Sequence, residues 1–341
     1  MEVIEILCER EFLMNNIKYI IRHERKLVIQ IPCYNEAATL ALAIRELPRE
    51  VPGFQKVEFL VIDDGSTDNT AEVAVASGVE HIVRHHTNLG LARAFMSGIH
   101  AALSVDADVI VNTDEDNQYD AHDIPLLTQP ILDGKAQYVI GTRPISEIRH
   151  FSPLKKMLQK FGSFMVRKFS GTVVEDAPSG FRALSREAAL RMNVFNNYTY
   201  TLETIIQAGY KNLGILCVPV HVNEDLRPSR LVKSIPQYIK RSAFTMIRIA
   251  ILYYPFRFFM TLGGISFLIG CVIGCRFLWY FFHNNGDGKI QSLLLASLFL
   301  LSGVIAGMIA FMADIAAVNR MLLEDIQYNQ REWKYHQGVQ K

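Results

Sequence analysis

Acidic side chains cluster directly after an apolar run that is predicted to form a strand. The segment 112–118 carries Asp114, Glu115, Asp116 and Gln118. Mg²⁺ and Mn²⁺ prefer carboxylate oxygens and commonly bridge to substrate phosphates. In an extended segment residues i and i+2 share a face, so Asp114 and Asp116 can converge on one ion while Glu115 turns away. A polar turn is the alternative, because Asp and Asn favour turns.

A second pair of acids follows another apolar run. Asp63 and Asp64 come directly after it, and Gly65, Ser66 and Thr67 follow them. One carboxylate can accept hydrogen bonds from a nucleobase or ribose, and the glycine permits close approach. A tight strand-to-helix turn, with Ser66 and Thr67 capping the helix, explains the glycine and the serine. It does not explain two adjacent acids.

A third motif also ends a predicted strand. Residues 31–36 are Ile-Pro-Cys-Tyr-Asn-Glu. Tyr34 offers an aromatic face for stacking, and Glu36 places a carboxylate near the start of the next helix. The three motifs therefore share one position, the end of a predicted strand.

Alternating strand and helix patterns between residues 27 and 142 position these motifs. The predicted strands are Leu27–Ile31, Val57–Ile62, His81–Val83, Val109–Val111 and Tyr138–Ile140. The predicted helices between them are Ala37–Leu47, Asn69–Ser77, which Gly78 can end, and Leu91–Ser104. Such alternation predicts an α/β fold with a mostly parallel sheet covered on both faces. In sheets of this kind ligands bind at the carboxyl ends of the strands.

In their order along the chain and in their spacing, the three motifs resemble those of the family 2 inverting glycosyltransferases. The fold of that family is the Rossmann-like GT-A fold. Downstream segments resemble the polyprenyl-phosphate and dolichol-phosphate sugar synthase branch of that family. These segments are Asn88–Ala92, Gly141–Arg143, Ser179–Arg182 and Arg227–Leu231. The resemblance covers residues 27–255 and implies a nucleotide-sugar donor, a polyprenyl-phosphate acceptor, and Mg²⁺ or Mn²⁺ as cofactor.

The resemblance also implies a role for individual residues. For the nucleotide-sugar they are Pro32, Tyr34, Glu36, Asp64, Asp114, Arg143, Arg227 and Lys233. Glu115 is included with them, although it departs from the small residue that the family commonly has between the two aspartates. For the metal they are Asp114, Asp116 and Gln118, and for catalysis Asp116 and Arg143. Asp176 is a further catalytic candidate, because it precedes the segment Ser179–Arg182 and can orient Arg182 or the acceptor. For the acceptor phosphate they are Ser179, Arg182, Glu203 and Arg230. For Asp176 and Glu203, which lies in the helical stretch Thr201–Ala208, a structural salt bridge is the alternative.

The chemistry agrees with these roles. A nucleoside diphosphate gathers negative charge as it leaves, and a metal with Arg or Lys stabilises that charge. The acceptor phosphate is already an anion, so a dedicated general base is less necessary. We therefore expect inverting, metal-dependent transfer of a hexose from a UDP- or GDP-linked donor to a polyprenyl phosphate.

Two apolar stretches near the end of the chain predict transmembrane helices. Phe258–Phe282 and Ile290–Ala313 each exceed the ~20 helical residues that cross a ~30 Å hydrocarbon core. The loop between them, 283–289, carries a single lysine, whereas basic residues flank the outer ends of the pair. The positive-inside rule then places the catalytic domain and both termini in the cytoplasm. The basic amphipathic segments 150–170 and 234–257 are expected to lie in the membrane interface.

The predicted organisation has five parts. They are an N-terminal extension (1–26), a catalytic domain (27–233), an interfacial amphipathic helix (234–257), two transmembrane helices (258–318) and a cytoplasmic tail (319–341). The charged first part does not resemble a signal peptide. The net charge of +1 argues against a nucleic-acid partner. Small residues in the spans allow helix–helix contact and a homo-oligomer.

The remaining histidines show no spacing suited to a metal site. The histidines are interpreted as surface or turn residues; they are His81, His85, His86, His122 and His221. A processive or hydroxyl-acceptor polysaccharide glycosyltransferase is the first alternative, but its Gln-x-x-Arg-Trp segment is not matched by residues 327–333. An inactive membrane scaffold is the second, and the intact acidic cluster argues against it.

Overall fold

The computed structural model describes residues 24–144, 163, 166–167, 170–194, 200–223, 244, 247–248, 251–283 and 290–337. The chain divides into two compact units. The first comprises Met1–Arg230 with Trp333–Lys341, and the second Leu231–Glu332.

A seven-stranded mixed sheet forms the centre of the first unit. Its strands are β1 Lys26–Cys33, β2 Lys56–Asp63, β3 His81–Arg84, β4 Val109–Asn112, β5 Tyr138–Thr142, β6 Arg182–Ser185 and β7 Ile215–Pro219. The order across the sheet is β3-β2-β1-β4-β6-β5-β7. Only β6 is antiparallel to its neighbours β4 and β5. The mostly parallel α/β sheet and its five predicted strands are confirmed, while β6 and β7 are additions.

Helices cover the sheet. They are α1 Leu40–Glu46, α2 Thr70–Ala76, α3 Leu91–Ser104, α4 Ile124–Leu132, α5 Arg186–Arg191 and α6 Thr201–Tyr210, with a short 3₁₀ turn at Ala121–Asp123. The strands β1, β2 and β4 are almost entirely buried, as expected for parallel strands with both faces covered. Polar side chains are therefore concentrated where these strands end.

The start of α2 differs from the prediction. The residue before the helix is Asn69, whose side chain makes no capping hydrogen bond, and the Thr70 backbone N–H donates to Asp68 Oδ1 (3.1 Å). Ser66 Oγ instead accepts from the Asn35 backbone N–H (2.9 Å), and the Thr67 N–H donates to Asn35 Oδ1 (2.8 Å). The capping prediction is wrong because these two residues fasten their turn to the loop after β1. Gly78, with a φ of +74°, follows the end of the helix as predicted.

Two long apolar helices characterise the second unit. They are α7, Pro255–Phe282, and α8, Ile290–Gln337, the last turn of which belongs to the first unit. Both are long and apolar enough to cross a membrane, judged by length and composition. Their backbones meet through glycine: a Cβ on Gly263 would lie 3.0 Å from the Gly303 carbonyl oxygen. The helix α8 continues well beyond the predicted span, through most of the segment predicted as a tail.

Candidate active site

The acidic loop after β4 is a tight turn held from two sides. Asn117 adopts a left-handed conformation with a φ of +56°, and Asp116 Oδ1 accepts from the Gln118 backbone N–H (3.1 Å). Asn223, beyond β7, donates its backbone N–H to the Gln118 carbonyl (2.9 Å) and its side-chain N–H to the Asn117 carbonyl (3.1 Å). The carboxylates that follow β4 therefore lie on a loop whose backbone is fixed by hydrogen bonds.

Negative charge is concentrated in this loop. Burial, and secondarily the neighbouring Asp116, raises the pKa of Asp114 to about 7, although Arg143 and Arg182 oppose the shift. Burial and then Asp114 raise the pKa of Glu115 to about 8. Burial is the larger cause of both shifts, and repulsion among the neighbouring carboxylates is the smaller one. A cation bound here would relieve that repulsion.

A divalent metal fits this arrangement only if the substrate completes its coordination. Within the described part of the chain, no three His, Cys, Asp or Glu side chains converge into a metal site. Mg²⁺ is usually held by one or two carboxylates together with substrate phosphates, which matches what Asp114 and Asp116 offer. Gln118 Oε1 accepts a long hydrogen bond from Arg143 Nη1 (3.3 Å), so a metal would compete with Arg143 for that oxygen.

Arg143 follows β5 and forms a two-point salt bridge with Asp176. Its Nε lies 2.7 Å from Asp176 Oδ2, and its Nη2 lies 3.1 Å from Oδ1. Burial lowers the pKa of Arg143, but Tyr119 and Asp176 outweigh it and hold the pKa above its usual range. Asp176 is itself fully buried. The structure thus gives Asp176 the salt-bridge role that the sequence left as an alternative, and this role fixes the guanidinium beside the acidic loop.

Gly180 is held against the acidic loop by hydrogen bonds at both its backbone N–H and its carbonyl. Its N–H donates to the Tyr119 hydroxyl (3.0 Å), and its carbonyl accepts from Asn112 Nδ2 (2.9 Å). A Cβ at this position would lie 2.6 Å from Asp114 Oδ2, closer than any side chain tolerates. Glycine is therefore needed here so that Asp114 can pack against the backbone.

Three predicted acceptor residues lie away from solvent. Ser179 and Arg182 are fully buried, and Glu203 is 2% exposed. The Arg182 guanidinium donates to the carbonyls of Ala177 (2.8 Å) and Ser179 (2.6 Å) and to other acceptors on β5 and α6. Direct contact of these three residues with an acceptor phosphate is not supported by their burial. Arg182 instead holds the segment that carries Gly180.

Replacing Arg182 with methionine should destabilise the first unit strongly. The buried carbonyls of Ala177 and Ser179 would lose their donors, which should cost roughly 3–5 kcal/mol and lower the apparent Tm by about 10 °C. Thermal unfolding of the detergent-purified chain measures this. Arg93→Met, at an exposed position on α3, is the matched control and should leave Tm unchanged. Equal Tm values for the two variants would contradict the structural role.

The loops after β1 and β2 form a second part of the site. Tyr34 is 42% exposed, whereas Glu36 is buried and accepts from Thr39 Oγ1 (3.0 Å). The charge of Glu36 also helps to raise the pKa of Glu115. The loops that follow the neighbouring parallel strands β1 and β4 therefore lie close together. Pro32 lies within β1, one residue before its end. The structure therefore brings the first and third sequence motifs together.

Asp64 lies beside a polar cavity of about 360 Å³. The cavity is lined by Gly65, Ser66, Arg84, His85 and His86. The His85 side chain is only 10% exposed and bonds to Asp64, so its interpretation as a surface or turn residue is wrong. Parallel pairing of β2 with β3 places the two residues side by side at the strand ends.

Several residues of the site were missed or given another role by the sequence analysis. Tyr119, Asn112 and Gly180 form one hydrogen-bonded group under Asp114, although Asn112 and Gly180 lie inside recognised motifs. Asn112 and Tyr119 flank the acidic loop, but Gly180 lies 61 positions beyond Tyr119, so no local spacing links it to them. Arg227, Arg230 and Lys233 lie outside the described residues.

Comparison with known proteins gives a consistent result. A sequence profile described as Glycosyl transferase family 2 matches residues 28–191. The chain is 31% identical over 201 residues to uncharacterized protein MJ1222 of Methanocaldococcus jannaschii, covering 57% of this chain and 80% of that protein. It is 27% identical to a UDP-N-acetylglucosamine–dolichyl-phosphate N-acetylglucosaminyltransferase of Methanococcus voltae (58% and 85% covered). It is 26% identical to the polyprenol monophosphomannose synthase of Mycolicibacterium smegmatis (60% and 80% covered).

The fold resembles that of a solved enzyme. Glucosyl-3-phosphoglycerate synthase from Mycobacterium tuberculosis, crystallised with Mn²⁺, UDP and glucosyl-3-phosphoglycerate, superposes with a TM-score of 0.51. The two share 20% sequence identity, and the match covers 67% of this chain and 79% of the other. The expected GT-A-like architecture is thereby confirmed.

Proposed function

This chain belongs to glycosyl transferase family 2, and from that premise we propose that it transfers a hexose from a UDP- or GDP-linked donor to a polyprenyl phosphate. The transfer inverts the anomeric centre and depends on Mg²⁺ or Mn²⁺. The observation that carries the proposal is the position of Asp114 and Asp116 on a hydrogen-bonded loop directly after β4, which pairs in parallel with β1.

The acceptor is supported by two relatives and by the second unit. One relative is named for transfer to dolichyl phosphate and the other for polyprenol monophosphomannose. Their names share a polyprenyl lipid and differ in the sugar. A lipid acceptor also suits a chain with two helices long and apolar enough to cross a membrane.

The metal would be held by Asp114 and Asp116, with Gln118 as the further ligand that the family resemblance implies. When bound, a divalent cation neutralises charge that accumulates on the departing diphosphate. The raised pKa of Asp114 is the feature of this chain that such a cation would reverse. Proximity of Glu115 to the end of β1 places a further carboxylate beside the proposed nucleotide site.

The chain's own side chains orient the donor. Tyr34, exposed at the end of β1, offers a face to the base, and Asp64 and Glu36 shape the neighbouring loops. Arg143 is held by Asp176 so that its charge stays next to the acidic loop and can stabilise the diphosphate. Arg227 and Lys233 are proposed as further cations for the diphosphate or the acceptor phosphate. The phosphate acceptor attacks as an anion, so the proposal needs no general base.

The proposed location is an integral membrane position with the catalytic domain and both termini in the cytoplasm. The support is the length of α7 and α8 and the scarcity of basic residues between them. The five-part organisation predicted above is retained as part of this proposal. A homo-oligomer through the spans is a further element of it.

A labelled-substrate panel tests the function. Membranes containing the chain are incubated with radiolabelled UDP-glucose, UDP-N-acetylglucosamine and GDP-mannose, with polyprenyl phosphate and Mn²⁺ or Mg²⁺. We expect label from one donor in the organic phase, in a product that mild acid releases as free sugar, and no transfer after chelation with EDTA. Label that appears only in a water-soluble polymer would favour a polysaccharide glycosyltransferase. Absence of label from every product would favour an inactive scaffold.

A further inference from the structure

His85, the first residue after β3, is hydrogen-bonded at both ring nitrogens. Its Nδ1 lies 2.7 Å from Asp64 Oδ1, and its Nε2 lies 2.9 Å from Ser97 Oγ on α3. A carboxylate only accepts hydrogen bonds, so we assign the Nδ1 proton to the bond with Asp64. The imidazole thereby joins the end of β2 to the middle of α3.

Asp64 also accepts hydrogen bonds from the two residues that precede α3. Its Oδ1 also accepts from the Leu89 backbone N–H (2.9 Å), and its Oδ2 accepts from the Gly90 N–H (2.8 Å). Gly90 precedes α3 with a φ of +94°, a conformation that favours glycine. Hydrogen bonds to a buried carboxylate are among the stronger ones in proteins. The position of the Leu89–Gly90 segment therefore depends on how Asp64 is oriented.

The turn after β2, which directly follows Asp64, is tightly packed. A Cβ on Gly65 would lie 2.4 Å from the Thr87 carbonyl carbon, so the two backbones are in direct contact. His85 and Gly65 both line the cavity of about 360 Å³ at the end of β2. Asp64 is therefore fixed between two residues of the cavity wall, the adjoining Gly65 and the hydrogen-bonded His85.

We propose that His85 is a positioning residue for the donor nucleotide. It orients Asp64, and Asp64 fixes the Leu89–Gly90 segment beside the nucleotide site; His85 itself touches no reacting atom. The inference rests on the proposed function, because that function places the nucleotide at the carboxyl ends of β1 and β2. The proposed metal ligands follow β4, so the effect should fall on donor binding and not on the transfer step.

Variants of His85 separate these effects. Replacing His85 by alanine should raise the donor KM about 10-fold while kcat stays within about two-fold. In His85→Asn an amide N–H can replace the Nδ1–H, and KM should return to within about three-fold of the wild-type value. Ser97→Ala keeps the bond to Asp64 and should raise KM by about three-fold. Dissociation constants of UDP and GDP, measured with Mn²⁺ on detergent-purified protein, should follow the same order.

His81→Ala is the matched control. His81 begins β3 and bonds to Glu58 (3.0 Å), so its loss should leave the donor KM unchanged. A fall in kcat at constant KM in His85→Ala, or no recovery in His85→Asn, would overturn the positioning role. Wild-type protein that binds UDP or GDP without transferring sugar would overturn the proposed function alone. Wild-type protein that binds neither nucleotide would overturn both.

Discussion

Asp116→Ala is expected to lower sugar transfer by at least about 10³-fold, to the background of control membranes. The side chain supplies one of the two carboxylates proposed for the metal, and Asp114 alone would leave the cation without its second protein carboxylate. Asp116 also accepts from the Gln118 backbone N–H, so the turn loses a hydrogen bond as well. Initial rates of label transfer to the organic phase, at saturating Mn²⁺, measure the effect.

A second aspartate outside the site provides the comparison. Asp133, beyond α4, pairs with Lys135 (2.9 Å) at the protein surface, and Asp133→Ala should retain wild-type transfer. Transfer by Asp116→Ala at the wild-type rate would show that the metal assignment is wrong. Partial activity restored by raising Mn²⁺ would instead support it, because a weakened site is filled by mass action.

Gly180→Ala should lower transfer by about 10²-fold, because displacement of a reactive group by about 1 Å has effects of that size. The new Cβ would lie 2.6 Å from Asp114 Oδ2. Gly180 cannot easily retreat, since Tyr119 and Asn112 hold its N–H and its carbonyl. Asp114 must therefore move. The same crowding should lower the free energy of unfolding by about 1–3 kcal/mol, which is small beside the loss of activity.

Gly214→Ala separates crowding of the carboxylate from a general effect of adding a methyl group. The nearest atom to a Cβ at Gly214 is the Cα of Ala136, at 3.6 Å, an ordinary contact distance. Transfer by this variant should match the wild type, as measured in the same assay. If Gly180→Ala proves equally active, Asp114 is not held by the close approach described here.

The sequence predicted the central architecture because its signals were local. Buried parallel strands have continuous apolar runs, and each polar motif follows such a run directly, so Asp114 and Asp64 could be placed at one edge of the sheet. Strand β6 was missed because its sequence, Arg-Ala-Leu-Ser, contains no apolar run. Arg182 was given a ligand role from the family resemblance, and nothing in the local sequence indicates that this arginine is buried.

Interactions between distant segments account for the other differences. Asp176 and Arg143 are separated by 33 positions, and either could equally have faced a substrate. Burial of both groups decides for the ion pair. His85 reaches Asp64 and Ser97, at separations of 21 and 12 residues, through the register of β2 with β3 and the docking of α3. The spacing of residues along the sequence does not reveal such contacts between distant segments.

Because β6 runs antiparallel to β5, the connection between these two strands begins and ends at the same edge of the sheet. We call this connection the insert. Strand β5 leaves the sheet at the active-site edge, and β6 enters it at the same edge, so residues 144–175 start and finish there. The Arg143–Asp176 ion pair joins the two ends of this insert. Evolution can therefore lengthen, shorten or replace the insert without disturbing the register of any strand.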